Sequence, residues 1–290
     1  MNKPSQVPMR KVSSGPYRGI VVVDSRLDHF IQNDGDPDGL LEHSGSVLKS
    51  SSSSRSALVN PDPPSGNVGS SGLYVKEFYY KGAVHSLKHL FGKHRAQVMW
   101  KVSWHLLKHS IPVPESEGYL LRKSGPFCRE GYFFSKVLAR CTTLATLART
   151  SRELSNGVAF GGLIEALARE IAALHDCRVT HGDLKWSNIL IDEKKDRFWF
   201  VDLDSAKIHT LFGGPAQVAR DLARFVFYGF QTETNHSYLD RFLDEYCCHR
   251  GLAREKIEAE MGKALKKLHK RHKSVPEERI KEVLKNYEHY

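Results

Sequence analysis

The hydrophobic pattern is clearest between residues 162 and 204. Four apolar residues follow one another at intervals of three or four positions: Leu163, Leu167, Ile171 and Leu174. This periodicity predicts a buried amphipathic helix over 162–177, and a short strand is expected at 178–180. Further along, the apolar and aromatic runs 189–191 and 198–201 enclose a charged turn, which is typical of a β-hairpin.

Alternating apolar residues dominate the first half of the chain. They predict strands at 17–23, 47–59, 73–78, 119–123 and 132–137. One helix is expected among them, at 94–109, with four residues on its buried side: Val98, Val102, Leu106 and Leu107.

The second half of the chain has a helical pattern from residue 141 onward, including 215–228 and the charged C-terminal segments. We therefore expect an α+β fold in three parts. These are a flexible N-terminus (1–16), a β-rich N-lobe (17–136) and a helical C-lobe (137–290).

A polar loop and a later acidic residue carry the candidate chemistry. Asp183 and Asn188 are five residues apart, and Asp202 follows nineteen residues after Asp183. Phosphoryl transfer needs a carboxylate that orients or deprotonates the attacking hydroxyl, and an amide and a second carboxylate that hold Mg²⁺ against ATP phosphates. The alternative is that Asp183 and Asn188 are ordinary turn formers. The order of helix, loop and hairpin favours a kinase.

Three upstream features are candidates for nucleotide binding. Lys76 lies in an alternating strand, 107 residues before the loop carboxylate, where a lysine could hold the α- and β-phosphates. The turn that contains Ser52 and Ser53 would let backbone N–H groups and hydroxyls approach phosphate, although a flexible serine linker is the alternative. Val137 and Leu138, at the predicted hinge, could pair with the adenine edge through their backbone groups.

The charge of the chain bears on its partners more than on its fold. Its 43 Lys and Arg residues and 33 Asp and Glu residues leave a net charge of +10. The stretches 81–110 and 263–273 are basic and contain no acidic residue. A solvated helix face is one interpretation, and attraction to an anionic membrane surface or a phosphorylated glycolipid is the other. No recognition motif indicates specific nucleic-acid binding.

The expected cellular compartment follows from the apolar segments and the cysteines of the chain. It has no run of eighteen apolar residues and no apolar signal segment near residue 1, so we expect neither a membrane span nor a signal peptide. Its five cysteines, an odd number with no C-x-x-C pair, suit a reducing compartment. The cytoplasm is the expected location.

Residues 181–204 and 75–78 resemble the lipopolysaccharide kinase family, which includes bacterial core heptose kinases and 3-deoxy-manno-octulosonate (Kdo) kinases. The resemblance implies a bilobal protein-kinase-like fold that acts, with ATP and Mg²⁺, on nascent lipid A–core sugars at the inner membrane. It also implies roles for five residues. These are Asp183 as the catalytic carboxylate, Lys185 as a stabiliser of charge on the transferred phosphoryl group, Asn188 and Asp202 as metal ligands, and Lys76 as the phosphate-binding lysine.

Two features argue against a protein substrate. Gly182 replaces the Arg of many protein kinases, and only fifteen residues separate Asp204 from Arg220, with no A-P-E motif. A peptide-docking activation segment fits poorly in that space. We therefore expect the acceptor to be a sugar hydroxyl of the lipopolysaccharide core, on heptose or Kdo, and the protein to be peripheral on the inner membrane.

Two alternatives remain open at this point. One is a compact RIO-like protein kinase, which also lacks a long activation segment. The other is a catalytically silent kinase-like scaffold that binds lipid. The scaffold is motivated by residues 81–110, where kinases supply a Glu to pair with the strand lysine and this chain has none. Gln97 and Glu115 are the candidate substitutes.

Overall fold

The computed structural model describes residues 7–33, 35–43, 45–60, 72–80, 94–125, 127–150, 158–192, 194, 197–210, 215–232, 236–272 and 275–283. The chain divides into two compact units, Met1–Ala139 and Arg140–Tyr290. Residues 61–71, before the Lys76 strand, and the first part of the basic stretch, at 81–93, lie outside the described residues.

The first unit is built on an antiparallel sheet of seven strands. They are β1 (Met9–Ser14), β2 (Tyr17–Val22), β3 (Gly45–Ser50), β4 (Ser54–Val59), β5 (Leu73–Tyr79), β6 (Ser116–Ser124) and β7 (Phe127–Lys136). Their order in the sheet is β1-β2-β6-β7-β5-β4-β3. Because successive side chains of a strand point to opposite faces, consecutive apolar residues supply two separate cores: Tyr132 and Phe134 of β7 lie in one, and Phe133 lies in the other.

Helices contact both faces of this sheet. The short helices α1 (Arg26–Gln32) and α2 (Pro37–His43) contribute to the core on one face, together with Val75 of β5. Helix α3 (Arg95–Lys108) packs on the other face, where Phe78 is buried. Lys76 is on the same face as Phe78, since the two residues are two positions apart.

Two expectations about the first unit need correction. The segment 1–16 was expected to be flexible, but Met9–Ser14 form β1, paired along its length with β2. In α3, Val102 and Leu106 are buried as predicted, but Val98 and Leu107 are only partly buried. The core of this face also takes three residues that were not predicted: Met99, Trp100 and Trp104. The two tryptophans bury more apolar area than the valine would, so the helix is rotated to place them against the sheet.

The second unit is mainly helical. Its helices are α4 (Leu144–Thr150), α5 (Val158–Asp176), α6 (Pro215–Gln231), α7 (His236–Arg250), α8 (Arg254–Arg271) and α9 (Glu277–Val283). Its strands are β8 (Cys141–Thr143), β9 (Val179–Thr180), β10 (Ile189–Asp192), β11 (Phe198–Phe200) and β12 (Lys207–Ile208). The strands form two small sheets, β11-β10-β8 and β12-β9. The predicted helix, short strand and hairpin are thus all present, with ends shifted by a few residues.

Aromatic packing anchors the polar loop of this unit. Trp186, within that loop, is fully buried and lies 5.5 Å from the ring of Phe225 on α6, which stacks in turn on Phe242 of α7 at 4.2 Å. Helix α5 packs against α7, and α6 against α8. Among the described residues, no helix has both the length and the apolar character needed to cross a bilayer.

Candidate active site

The loop after β9 brings Asp183 and Asn188 together. The Nδ2 group of Asn188 donates to the backbone carbonyl of Asp183 at 2.9 Å and to its carboxylate Oδ2 at 3.3 Å. Asn188 is buried, with 6% of its surface exposed. Because both of these bonds use the amide nitrogen, the side-chain oxygen of Asn188 remains available as a ligand for a cation.

Two cations lie beside the carboxylate of Asp183. Lys185 Nζ is 2.9 Å from Oδ2, and Arg224 Nε on α6 is 3.9 Å from Oδ1. Burial of Lys185 opposes its charge, but the hydrogen bond and the charge of Asp183 outweigh it and raise the pKa of the lysine. Lys185 therefore stays protonated, as the predicted role in stabilising phosphoryl charge requires.

Asp202 reaches this region through the hairpin of β10 and β11. The Val201 N–H donates to the Asn188 carbonyl oxygen at 3.0 Å, which ties the end of the hairpin to the polar loop. Asp202 itself has a left-handed backbone, with φ of 64°, which is uncommon for a residue other than glycine. Its negative charge also contributes to the raised pKa of Lys185. The three predicted polar side chains thus lie on two segments bonded to each other.

His181 is a second link between these segments. Its ring is buried, with Nε2 3.0 Å from the Val201 carbonyl oxygen and Nδ1 3.4 Å from the Asp183 backbone N–H. A carbonyl can only accept and a backbone N–H can only donate, so these partners assign the ring proton to Nε2. His181 therefore holds the loop against the strand that leads to Asp202.

Gly182 occupies a position that no other residue would fit. Its φ is +78°, and a Cβ added there would lie 2.4 Å from the carbonyl oxygen of Ser205. A side chain would therefore be strained and would also collide with the backbone after Asp202. This contact gives a physical reason for glycine where many protein kinases have arginine.

Asp221 of α6 is a site residue that the sequence analysis missed. Its buried carboxylate accepts hydrogen bonds from the backbone N–H groups of His181 at 2.6 Å and Gly182 at 2.9 Å. His175 Nε2 lies 3.5 Å from the same carboxylate, and Nδ1 of that ring is 2.8 Å from the Tyr246 hydroxyl. A signal was present in the sequence, because an aspartate interrupts the apolar side of the predicted helix 215–228.

Lys76 is largely buried in the first unit, with its Nζ 5.4 Å from the centre of the Phe78 ring. The two substitutes considered for the missing Glu have other partners. Gln97 donates to the Tyr119 hydroxyl at 3.3 Å, and Glu115 pairs with Lys136 at 2.6 Å. The role of Lys76 in binding phosphate remains a prediction.

The serine turn is a hairpin turn between β3 and β4. The Ser51 hydroxyl oxygen accepts from the backbone N–H groups of Ser53, at 3.4 Å, and Ser54, at 3.1 Å. The predicted strand, turn and strand are therefore present, and the alternative of a flexible linker is not. Ser52 and Ser53 are exposed at the turn, and their contact with phosphate remains a prediction.

The predicted hinge follows directly after β7. The Val137 N–H donates to the Gly72 carbonyl at 3.4 Å, and Val137 and Leu138 are both partly buried. That bond occupies one of the donors expected to face adenine, so base pairing would have to use the other backbone groups of these two residues. This role also remains a prediction.

Comparison with known proteins gives a consistent result. The model of the lipopolysaccharide kinase (Kdo/WaaP) family matches residues 40–246. The 3-deoxy-D-manno-octulosonic acid kinase of Vibrio cholerae is 27% identical in a match 132 residues long, which covers 41% of this chain and 53% of that protein. The enzyme of the same name from Vibrio parahaemolyticus is 41% identical over 46 residues, 16% of this chain and 19% of that protein. The matched regions thus span about half or less of these curated relatives.

A solved structure confirms the predicted fold class. The structure of WaaP in complex with acyl carrier protein matches with a TM-score of 0.61 and 21% identity, covering 82% of this chain and 95% of that chain. At this identity the similarity establishes the fold, which is protein-kinase-like, with a β-rich N-terminal part and a helical C-terminal part. Since the family model spans most of the sequence, from the strands of the first unit to the helices of the second, the chain belongs to the lipopolysaccharide kinase (Kdo/WaaP) family.

Proposed function

We propose that the protein is an ATP-dependent kinase that phosphorylates a sugar hydroxyl of a lipopolysaccharide core precursor, on heptose or Kdo. The observation that supports this most strongly is the arrangement of Asp183, Lys185 and Asn188 in one bonded loop, joined to the segment of Asp202. The curated relatives are named for an octulosonic acid, which carries a carboxylate. Kdo, an acidic sugar, is therefore our first choice of acceptor.

The residues of the second unit suggest a division of labour. Asp183 would accept a hydrogen bond from the acceptor hydroxyl, orient its oxygen toward the γ-phosphorus of ATP and receive the proton as the new P–O bond forms and ADP leaves. Lys185, held at 2.9 Å from Asp183, would offset the negative charge that spreads over the transferred phosphoryl oxygens. Asp221 would keep the loop in place for this step.

The oxygen donors near this loop fit a hard divalent cation. The side-chain oxygen of Asn188 and the carboxylate of Asp202 are the ligand types that Mg²⁺ takes in kinases of this fold. When bound, Mg²⁺ would neutralise charge on the nucleotide phosphates. We propose no softer metal, because no thiolate or imidazole belongs to this donor set.

In the first unit we propose Lys76, Ser52 and Ser53 for the phosphates of ATP, and Val137 and Leu138 for its base. The burial of Lys76 beside Phe78 supports this role, because the attraction between an ammonium and a phosphate is less screened in a site of low dielectric constant.

A membrane location is part of the proposal. Helix α8 turns its apolar residues, among them Ile257, Met261 and Leu265, into the core and leaves Lys263, Lys267 and Lys270 exposed. Such a basic face fits an anionic inner-membrane surface, where a glycolipid acceptor would be embedded. WaaP has been solved with acyl carrier protein, so a carrier protein is a second candidate partner.

One assay distinguishes the proposed function from two alternatives, a RIO-like protein kinase and a catalytically silent scaffold. The protein would be incubated with labelled ATP, Mg²⁺ and three acceptors: dephosphorylated lipid A–core, its acidic-sugar fragment and a protein mixture. We expect label on a core sugar, identified by mass spectrometry, and roughly 10²-fold or greater loss of transfer with Asp202→Ala. Preferential labelling of protein would favour a RIO-like kinase. Lipid binding without nucleotide turnover, unchanged in the double variant Asp183→Ala/Asp202→Ala, would favour the silent scaffold.

A further inference from the structure

Helix α6 presents three polar side chains on the side that faces the catalytic loop. Asp221, Arg224 and Tyr228 are three and four positions apart, so they lie on one face of the helix. Asp221 is bound to the loop backbone. The other two have no such partner, and the position of Arg224 beside the predicted catalytic carboxylate, one turn before Tyr228, therefore needs an explanation.

Arg224 is near Asp183 without being bonded to it. Its Nε is 3.9 Å from Oδ1, beyond hydrogen-bond distance, whereas Lys185 already lies 2.9 Å from Oδ2. The arginine side chain is 28% exposed and makes no hydrogen bond to any described residue. A guanidinium has five N–H donors in a planar fork, and here that fork is held next to the reactive carboxylate with its donors unused.

Tyr228 lies one turn further along α6. Its ring is partly buried against Phe227, and its hydroxyl makes no hydrogen bond within the described part of the chain. Its hydroxyl is near enough to Lys185 to contribute to the raised pKa of that lysine, after the larger effect of Asp183. The site therefore contains a guanidinium and a phenol, adjacent on one helix, that both have unfilled hydrogen-bonding capacity.

We propose that Arg224 and Tyr228 bind an anionic group of the acceptor, next to the hydroxyl that is phosphorylated. This inference rests on the kinase activity proposed above. A guanidinium binds carboxylate or phosphate through two parallel hydrogen bonds, and a tyrosine hydroxyl can donate a third. An anionic acceptor is repelled by the phosphates of the nucleotide, so a fixed cation on the acceptor side of Asp183 offsets that repulsion. The pair would thus select acidic sugars over neutral ones.

The test compares acceptors that differ only in this group. We would measure kcat and KM for an octulosonic acid glycoside, for its carboxamide and for a heptose phosphate, with wild type, Arg224→Gln and Tyr228→Phe. Arg241→Gln is the matched control, because it removes the same charge from a residue that pairs with Glu165. Arg224→Gln should lower kcat/KM for the preferred anionic acceptor roughly 10- to 100-fold, mainly through KM, and leave the carboxamide within a few-fold. If the loss of kcat/KM is seen with the octulosonic acid glycoside, the group recognised is a carboxylate. If it is seen with the heptose phosphate, the group is a phosphate.

Other outcomes overturn the inference. An equal loss of kcat/KM on the acid and on the carboxamide would mean that Arg224 acts only through Asp183.

Calorimetry of acceptor binding without ATP gives a second measurement, in which Arg224→Gln but not Arg241→Gln should weaken binding of the acid. If wild type binds the acid in an Arg224-dependent way yet transfers no phosphate, the proposed kinase activity fails and the binding site stands. If the wild-type protein binds neither the octulosonic acid glycoside nor the heptose phosphate, the inference fails.

Discussion

Gly182 provides the sharpest test at the scale of a single residue. Gly182→Ala puts a methyl group within 2.4 Å of the Ser205 carbonyl and forces alanine into a left-handed backbone at φ +78°. We expect the free energy of unfolding to fall by about 1–2 kcal/mol or more. The rate of phosphoryl transfer should fall further, because relief of the collision displaces the loop that holds Asp183. Urea denaturation and a transfer assay measure the two effects separately.

Gly162→Ala is the matched control. Gly162 lies in α5, and an added Cβ there would have no heavy atom within 4 Å. Alanine should raise stability by about 0.5–1 kcal/mol, since glycine costs about that much in a helix. If Gly182→Ala were as stable and as active as Gly162→Ala, the contact between residue 182 and the Ser205 carbonyl would matter neither for folding nor for phosphoryl transfer.

Residues close in sequence were the ones that could be predicted. Asp183, Asn188 and Asp202 were identified because loop and hairpin spacing limits where they can lie. Asp221 and Arg224 reach the same loop from about forty residues away, and no local pattern specifies that contact. The one sequence signal for the contact between α6 and this loop is Asp221, an aspartate on the apolar side of the predicted helix.

At the scale of elements, α6 holds the polar loop that contains Asp183 through the carboxylate of Asp221. Asp221→Asn leaves one acceptor oxygen for the two N–H groups of His181 and Gly182, which now bond separate oxygens. One buried N–H loses its partner, so we expect about 1–3 kcal/mol less stability and faster hydrogen exchange at these two amides. Asp176→Asn, on the exposed end of α5, is the control and should leave both amides protected. Unchanged exchange in Asp221→Asn would contradict this role.

Strand β6 buries a carboxyl group that should make stability depend on pH. Glu117 is 3% exposed and accepts from the Leu27 N–H at 3.0 Å. Burial raises its pKa, against the smaller opposing effects of that hydrogen bond and of Lys136 and Arg26. The folded state thus binds more protons than the unfolded state between the two pKa values, so this group costs stability as pH rises through that window.

Glu117→Gln keeps an acceptor for the Leu27 N–H and removes the titration. We expect the variant to be more stable than wild type at neutral pH, with the difference vanishing below the unfolded pKa of about 4.3. Thermal denaturation from pH 4 to 8 measures it. A difference that grew toward acid pH would show that the sign is wrong.

The strands were predicted from apolar residues two positions apart, which lie on one face of a strand. Because both faces of this sheet are covered, an inner strand also carries consecutive apolar residues, as Tyr132, Phe133 and Phe134 of β7 do. The rotation of α3 was not predictable in the same way. Val98 and the two tryptophans lie on different sides of the apolar surface of α3, and which of them is buried depends on the shape of the sheet surface that the helix meets. The ring centres of Trp100 and Trp104 are 5.4 Å apart within that core. Helical periodicity alone does not predict that these two residues are buried in preference to Val98.

At the scale of the whole molecule, the net charge of +10 includes an exposed basic face on α8. Changing Lys263, Lys267 and Lys270 of α8 to Gln should weaken binding to anionic vesicles roughly 10- to 100-fold at low salt, since each lysine near such a surface contributes about 1 kcal/mol. Sedimentation with phosphatidylglycerol vesicles measures it. Lys11, Lys49 and Lys123, exposed in the first unit, provide a control triple with the same change in net charge. Equal weakening by both triples would indicate a general charge effect rather than a docking face.

The proposed function depends on Asp183, which would accept a hydrogen bond and then the proton from the acceptor hydroxyl during phosphoryl transfer. The most direct measurement is the rate of transfer from labelled ATP to an acidic core sugar by wild type, Asp183→Ala and the control Arg241→Gln, with ATP binding followed in parallel. We predict a loss of roughly 10²- to 10⁴-fold for Asp183→Ala at unchanged ATP affinity, and no loss for the control. Undiminished transfer by Asp183→Ala would contradict the account.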